Sequence, residues 1–344
     1  MLKLGVDAWN LPNDRRGIGR YLRALLRAWH EVAAERVACT LVVPEWHTWT
    51  VRERYRREAP ERRYPVVSRA LHRLAGLDLL WFPWNGVGWS GFDTPAVATL
   101  HDAAYFTEAY RNEGAQGDVR RAAARCAHLI ADSAFTAREL VRYLQIPPEG
   151  ITPVLLGVDS PAAGVAAGSS GIVEPYVFFV GTAERRKGLD VLARAMVQVQ
   201  RERPELLLVV AGSGRDAAFE TSELRVRELG FVDDARLAAL YGDATLFAFP
   251  SRYEGFGLPV LEAMRHGTPV VCSDAASLPE VGGDAAMYAP VGDPDALARA
   301  ILHVASDAAL AGDLRERGLR RAAEMSWHRT ALQTLDVLER VARA

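Results

Sequence analysis

Lysine is almost missing from this chain. Of its 41 basic residues only Lys3 and Lys187 are lysines, and the other 39 are arginines. Lysine is ordinarily among the commonest residues, so its loss reads first as a codon bias toward Arg, Ala and Gly. Two positions have escaped that replacement. Cysteine is scarce as well: Cys39, Cys126 and Cys272 stand far apart, without metal-ligand spacing. That excludes a disulfide framework or a zinc cluster and fits a reducing compartment. No apolar run is long enough to span a bilayer, and Met1 to Asp7 reads as a strand and not as a signal peptide. A cytoplasmic chain is expected. Neither charge is in large surplus, with a net of −2, which argues against nucleic-acid binding by phosphate neutralisation.

The 344 residues, 49% hydrophobic and 24% charged, suit a soluble globular protein of two domains. Short apolar runs alternate with amphipathic stretches. Strands are expected at 2–9, 39–43, 77–82, 96–100, 128–132 and 151–155, and a helix over 18–34. After a small-residue segment between Ser160 and Pro175 the alternation restarts, with strands at 176–180, 206–211, 245–249 and 269–272. This pattern implies βαβ units, hence an α/β protein of two doubly wound, Rossmann-like domains joined by a linker. The boundaries read as 1–165 and 173–326. A last helix follows over about 327–344, with Leu332, Leu335, Leu338 and Val341 on one face.

Four segments carry chemistry. In Phe249-Pro-Ser-Arg-Tyr-Glu-Gly-Phe-Gly-Leu-Pro-Val-Leu-Glu a strand turns through glycines into a helix opening at about Pro259. Amides at such a turn, backed by the helix dipole, make an anion site. Glu254 and Glu262 there suit a vicinal diol, or simply the preference of helix starts for acidic residues. In Gly181-Thr-Ala-Glu-Arg-Arg-Lys-Gly a second strand ends at a glycine, and Arg185, Arg186 and Lys187 crowd the loop. A pyrophosphate would be held there, although a solvated loop gives the same composition. Asp14-Arg-Arg-Gly-Ile-Gly has Gly17 and Gly19 but lacks the third glycine of the dinucleotide fingerprint, so NAD is not expected. Thr99-Leu-His101-Asp102 ends a strand where open α/β sheets place ligands, and His101 there is either functional or structural.

Jointly these segments resemble the retaining, metal-independent glycosyltransferases of family 4, which have the GT-B architecture: two Rossmann-like domains facing a cleft, with a terminal helix crossing back to the first. Glu254-GFGLPVL-Glu262 matches the family's Glu-seven-residues-Glu signature, and ADSAFTAREL, PVLLGVD and SLPEVGGDAAMYAPVGDPDALARAI match its style. The resemblance implies transfer of a hexose from a nucleotide-sugar donor, with GDP-mannose favoured, to a saccharide or lipid-linked acceptor, with no metal or other cofactor. It implies that Glu254 contacts the donor sugar, the amides of Phe256, Gly257 and Leu258 lie near sugar and phosphate, and Glu262 holds the ribose. Arg186 and Lys187 would neutralise the diphosphate, the Gly17–Gly19 loop would close over it, and His101 would lie beside the reacting sugar. Many family members carry an arginine where this chain has Thr182, so Arg186, or else Arg185, is expected to replace it. Asp102 reads as a base or as a strand-end carboxylate. A non-catalytic nucleotide-sugar binder and a nucleotide-sugar epimerase are the alternatives.

The acceptor is expected on the N-terminal domain. The segment Trp46–Arg73 there interleaves Trp46, Trp49 and Tyr55 with Arg52, Arg54, Arg56, Arg57, Arg62 and Arg63. That pattern suits peripheral contact with an anionic membrane and equally a solvated helix.

Overall fold

A computed structural model describes residues 1–14, 17–58, 64–70, 74–159, 169–182, 184–212 and 223–344, without the side chains of Arg56 and Glu58. The described chain forms two compact units, Met1–Gly157 with Trp327–Ala344, and Val158–Ser326. The sequence reading set its boundaries later, around a linker at 160–175. Residues 160–168 lie outside the described residues, and Val158 already pairs with Ser326 inside the second unit.

The first unit holds β1 (Leu2–Asp7), α1 (Gly17–Val32), β2 (Val37–Val43), α2 (Thr48–Glu58), β3 (Val66–Ser68), β4 (Leu79–Phe82), β5 (Ala96–Leu100), α3 (Glu113–Arg125), β6 (His128–Ala131), α4 (Ala134–Leu144) and β7 (Ile151–Pro153). Its sheet is parallel, in the order β3-β2-β1-β4-β5-β6-β7. The second unit holds β8 (Tyr176–Val180), α5 (Leu189–Glu202), β9 (Leu207–Ala211), β10 (Val226–Gly230), α6 (Asp234–Asp243), β11 (Leu246–Phe249), α7 (Leu258–Arg265), β12 (Val270–Ser273), α8 (Leu278–Gly282), β13 (Ala286–Ala289), α9 (Pro294–Ser306) and α10 (Ala308–Glu324). Its parallel sheet runs β10-β9-β8-β11-β12-β13.

Both sheets reverse direction once, between β1 and β4 in the first and between β8 and β11 in the second. In doubly wound sheets ligands bind outside the carboxyl ends of the strands at this switch point. The central strands are apolar throughout because both of their faces are covered: Leu79–Phe82, Ala96–Leu100 and Leu246–Phe249 are buried at every residue.

The last helix, α11 (Trp327–Arg343), belongs to the first unit. Its carbonyl at Ala331 accepts the buried indole N–H of Trp29 at 2.7 Å, and Arg36 reaches Asp336 at 2.7 Å and Glu339 at 3.1 Å. Trp327, Ala331, Leu335 and Leu338 form its buried stripe, a spacing that returns to one side of a helix every three to four residues.

Candidate functional site

The loops after β8 and β11, the two strands beside the second switch point, are knitted together through their backbones. Gly188 ends the first loop at φ +72°, and a Cβ there would lie 2.1 Å from the Pro250 carbonyl oxygen. Only glycine allows that approach. The Arg252 amide donates to the Arg186 carbonyl at 2.7 Å, and Ser251 Oγ lies 3.0 Å from the same oxygen.

This pairing brings three charges to one point. Lys187 Nζ lies 2.8 Å from Glu254 Oε1, and Arg186 Nη1 lies 3.2 Å from Glu254 Oε2. Arg186 also donates to the Tyr253 carbonyl at 2.9 Å, while Ser251 Oγ sits 2.7 Å from Glu254 Oε1. Lys187 Nζ stands 5.4 Å over the Phe249 ring, which adds to its hold on the ammonium. Glu254 is only 6% exposed, and a carboxylate that deep is tolerated because cations and a hydroxyl surround it.

Thr182, which stands where an arginine was expected from the resemblance, engages Glu184. The Thr182 hydroxyl donates to Glu184 Oε1 at 2.7 Å, and Arg186 Nη2 reaches Glu184 Oε2 at 3.3 Å. The Thr182 hydrogen bond, then Arg186 and Lys187, hold the Glu184 carboxyl below its ordinary range. Arg185 is exposed, and its carbonyl accepts from Arg252 at 2.6 Å. Between the two candidate arginines, Arg186 is the one placed against Glu254.

The turn from β11 into α7 has its tightest point at Gly257, with φ +108°, where a Cβ would meet the Leu278 side chain at 2.7 Å. The amides of Phe256, Gly257 and Leu258 follow at the helix N-terminus, where the first N–H groups have no partner within the helix. Ser277 Oγ, fully buried, lies 2.9 Å from the Glu254 carbonyl and 2.6 Å from that of Phe256. Further along α7, Glu262 Oε2 accepts the Tyr241 hydroxyl at 3.1 Å, and the Tyr241 ring stacks on His266 at 5.6 Å. Sequence reasoning missed Ser251, Ser277 and Tyr241. Ser251 lay inside the quoted loop motif and Ser277 opens the quoted SLPEVGGDAAMYAPVGDPDALARAI segment, neither marked there as a contact, and nothing in the chain's periodicity marks Tyr241.

In the first unit His101 follows β5. Its Nδ1 lies 2.7 Å from Asp132 Oδ2 and its Nε2 lies 2.8 Å from the Pro83 carbonyl. Asn85, at φ +61°, accepts the His101 amide at 2.7 Å. A non-glycine residue in the left-handed region at the end of a strand marks a loop under constraint. Burial alone would lower the His101 pKa; the Asp132 charge and hydrogen bond, the Pro83 carbonyl and Asp102 together raise it. Asp102 Oδ1 accepts the Ala104 amide at 3.1 Å, the strand-end role allowed by the sequence.

Gly17 and Gly19 lie at the start of α1, and Arg15 and Arg16 of the same motif fall outside the described residues. A Cβ on Gly19 would sit 1.9 Å from the Asp14 carbonyl, and the Gly19 amide donates to Asp14 Oδ2 at 3.0 Å. The second glycine therefore serves the loop's own closure, and its amide is already engaged. At Gly17 nothing crowds a Cβ; there the glycine answers φ +50°.

The aromatic and basic segment splits. Trp46 and Trp49 are 79% and 74% exposed, whereas Tyr55 is buried with its ring 5.8 Å from Tyr64. Arg54 donates to the Pro12 carbonyl, and Arg62, Arg63 and Arg73 lie outside the described residues. Among the described residues no helix is long and apolar enough to cross a membrane, and no three His, Cys, Asp or Glu side chains gather as a metal site.

Two family models match the chain. One, described as "Glycosyl transferases group 1", covers residues 174–307, and the other, "Glycosyltransferase Family 4", covers residues 15–160. The O-antigen chain mannosyltransferase B of Escherichia coli is 34% identical over 70% of this chain and 69% of its own length. The MMP alpha-(1->4)-mannosyltransferase of Mycolicibacterium hassiacum is 31% identical over 64% of this chain, which spans 56% of that relative. Among solved structures, Anabaena HepE in complex with UDP and glucose superposes with a TM-score of 0.73 at 16% identity, covering 98% of this chain and 100% of that one.

Proposed function

Because the chain belongs to the group 1 and family 4 glycosyltransferases, we propose that it transfers a hexose, mannose first, from a nucleoside-diphosphate donor with retention at the anomeric carbon. The observation that carries this reading is the cluster of Arg186 and Lys187 on Glu254 at the second switch point, beside the start of α7.

In this reading the diphosphate draws Arg186 and Lys187 away from Glu254, which is left to accept hydrogen bonds from the donor sugar. The amides of Phe256, Gly257 and Leu258 receive phosphate and sugar oxygens, and Glu262, held by Tyr241, takes the ribose hydroxyls. The bond from the anomeric carbon to the phosphate oxygen breaks, and its electron pair leaves with the diphosphate. The acceptor oxygen bonds to the same face of that carbon, and its proton passes to the departing phosphate oxygen. No metal is required where two cations and helix amides stabilise the leaving group. The same reading gives His101 a contact with the reacting sugar and the Gly17–Gly19 loop a place over the phosphates.

Two relatives named as mannosyltransferases support mannose, and GDP-mannose is the donor to try first. A saccharide or lipid-linked acceptor fits the relatives' names, and the exposed pair Trp46 and Trp49 supports peripheral contact with an anionic membrane. Loss of vesicle flotation in the Trp46→Ser, Trp49→Ser double variant reads that contact; flotation unchanged by the two substitutions removes it. The donor is tested by thermal shift with GDP-, UDP- and dTDP-sugars. The right donor at 100 times its Kd adds about 2.7 kcal/mol of stability. No shift with any of them would overturn the donor site.

A further inference from the structure

The pair His101 and Asp132 holds a proton in a defined place. Both ring nitrogens of His101 face oxygen: Nδ1 is 2.7 Å from an Asp132 carboxylate oxygen, and Nε2 is 2.8 Å from the Pro83 carbonyl. A carbonyl only accepts, so Nε2 must carry a hydrogen. If Asp132 is ionised, Nδ1 must carry one as well, or two lone pairs would meet at 2.7 Å. The alternative moves that proton onto Asp132. Burial raises that carboxyl, but the His101 charge and hydrogen bond pull against it, while Asp132, the Pro83 carbonyl and Asp102 outweigh burial at His101 and raise it.

The surroundings restrain the ring from every side. Asp132 follows β6 and is 3% exposed, and its Oδ1 has no hydrogen-bond partner among the described residues. Asp102, on the same loop as His101, adds a second negative charge. From α1, Tyr21 sets its ring edge-to-face on the imidazole at 5.1 Å, and burial pushes its phenol far above the ordinary range, so it stays neutral. Asn85 pins the His101 amide. The two acidic neighbours favour a cation, and the carbonyl and phenol do not oppose one.

We infer that His101 acts as a fixed imidazolium, clamped between Asp132 and the Pro83 carbonyl, with Asp132 as its positioning residue. The ring then has no free lone pair and cannot serve as a proton acceptor. It fixes one positive charge between the Asp132 and Asp102 carboxylates at the carboxyl end of β5. Only the chemical use of that charge rests on the glycosyltransferase reading; the protonation itself is measurable without donor or acceptor, so the two fail separately.

The test is nitrogen NMR of the histidine rings in the full-length protein at pH 7.5, with His101 assigned by His101→Gln. Both His101 nitrogens are expected to carry protons at that pH. In Asp132→Asn the ring is expected to keep only one, and Asp132→Glu should restore the second. A singly protonated His101 in the unsubstituted protein at pH 7.5 would overturn the inference, and so would a ring unmoved by Asp132→Asn. Activity gives an independent readout. A fixed cation leaves the rate level as pH falls through 6.5, whereas an acid limb near 6.5 that vanishes in His101→Gln identifies a base and overturns the proposal.

Discussion

The two units treat the carboxylates at their strand ends, and in and beyond the loops that follow, in opposite ways. In the first unit burial pushes Asp7 up to about 6, against the pull of Arg69, and raises Asp132 despite His101. In the second, hydrogen bonds and neighbouring cations hold Glu184 and Asp190 below their ordinary range, led by Thr182 for one and Arg252 for the other. The local charges follow the same division. One histidine stands against Asp132 and Asp102, while Arg186 and Lys187 stand against Glu184 and Glu254. A fold repeated twice in one chain has therefore been given two electrostatic characters. The second suits an anion. The first suits a partner that brings hydroxyl donors, such as a sugar.

The hardest test of that contrast is Lys187→Ala. Removing one group that stabilises developing charge commonly costs on the order of 100-fold to 1000-fold in rate, and kcat should fall by that much. An unchanged melting temperature would separate this loss from unfolding; kinetics near those of the unsubstituted protein would break the contrast. Lys187→Arg sharpens it. The side chain packs over Phe249 and beneath Gly181, whose added Cβ would lie 3.6 Å from Lys187 Cγ. A planar guanidinium does not replace a compact ammonium there, and about a tenfold loss is expected, or roughly 1.4 kcal/mol.

On the side of the first sheet the effect is a pH dependence of stability set by Asp7. Its folded-state pKa of about 6 lies above the ordinary 3.8, so the folded chain holds this proton more tightly than the unfolded chain. The stability it contributes is full below 3.8 and is lost as pH rises through 6, roughly 3 kcal/mol in all. Melting curves of the unsubstituted protein and Asp7→Asn between pH 4 and 7 should diverge in slope, because only the former carries this linkage. Parallel slopes would show that Asp7 titrates normally.

The smallest effect concerns Tyr241. Tyr241→Phe removes one hydrogen bond to Glu262 and keeps the ring on His266, costing about 1 kcal/mol. If Glu262 grips the donor's ribose, the donor KM should rise about fivefold with kcat unchanged. An unchanged KM would detach Glu262 from donor binding.

The interior of the fold was legible in the sequence and its margins were not. Every central strand was visible as an apolar run, because a strand covered on both faces needs one. The three strands that escaped, β3, β10 and β13, all lie at sheet edges. At β10 no residue is buried, so VRELG carries no apolar run. The site divided similarly. Glu254, Arg186, Lys187 and the glycines could be read because tight turns and strand-end cations leave local marks. Asp132, Asn85, Ser277 and Tyr241 act across 16 to 31 residues of sequence, and no local pattern records a partner so far along the chain.

The bridge between Val158 and Ser326, with the Val158 amide donating to the Met325 carbonyl at 3.1 Å, means that the second unit starts and finishes at neighbouring points. Topologically it is an insertion: a cassette spliced between Gly157 and Trp327 of a host that closes on itself through α11. Termini that meet are what make an inserted module transplantable. Residues 158–326 could accordingly be exchanged for the equivalent stretch of a relative by two cuts made side by side. Evolution would then have had a route to change what the cassette carries while leaving the host's own core intact.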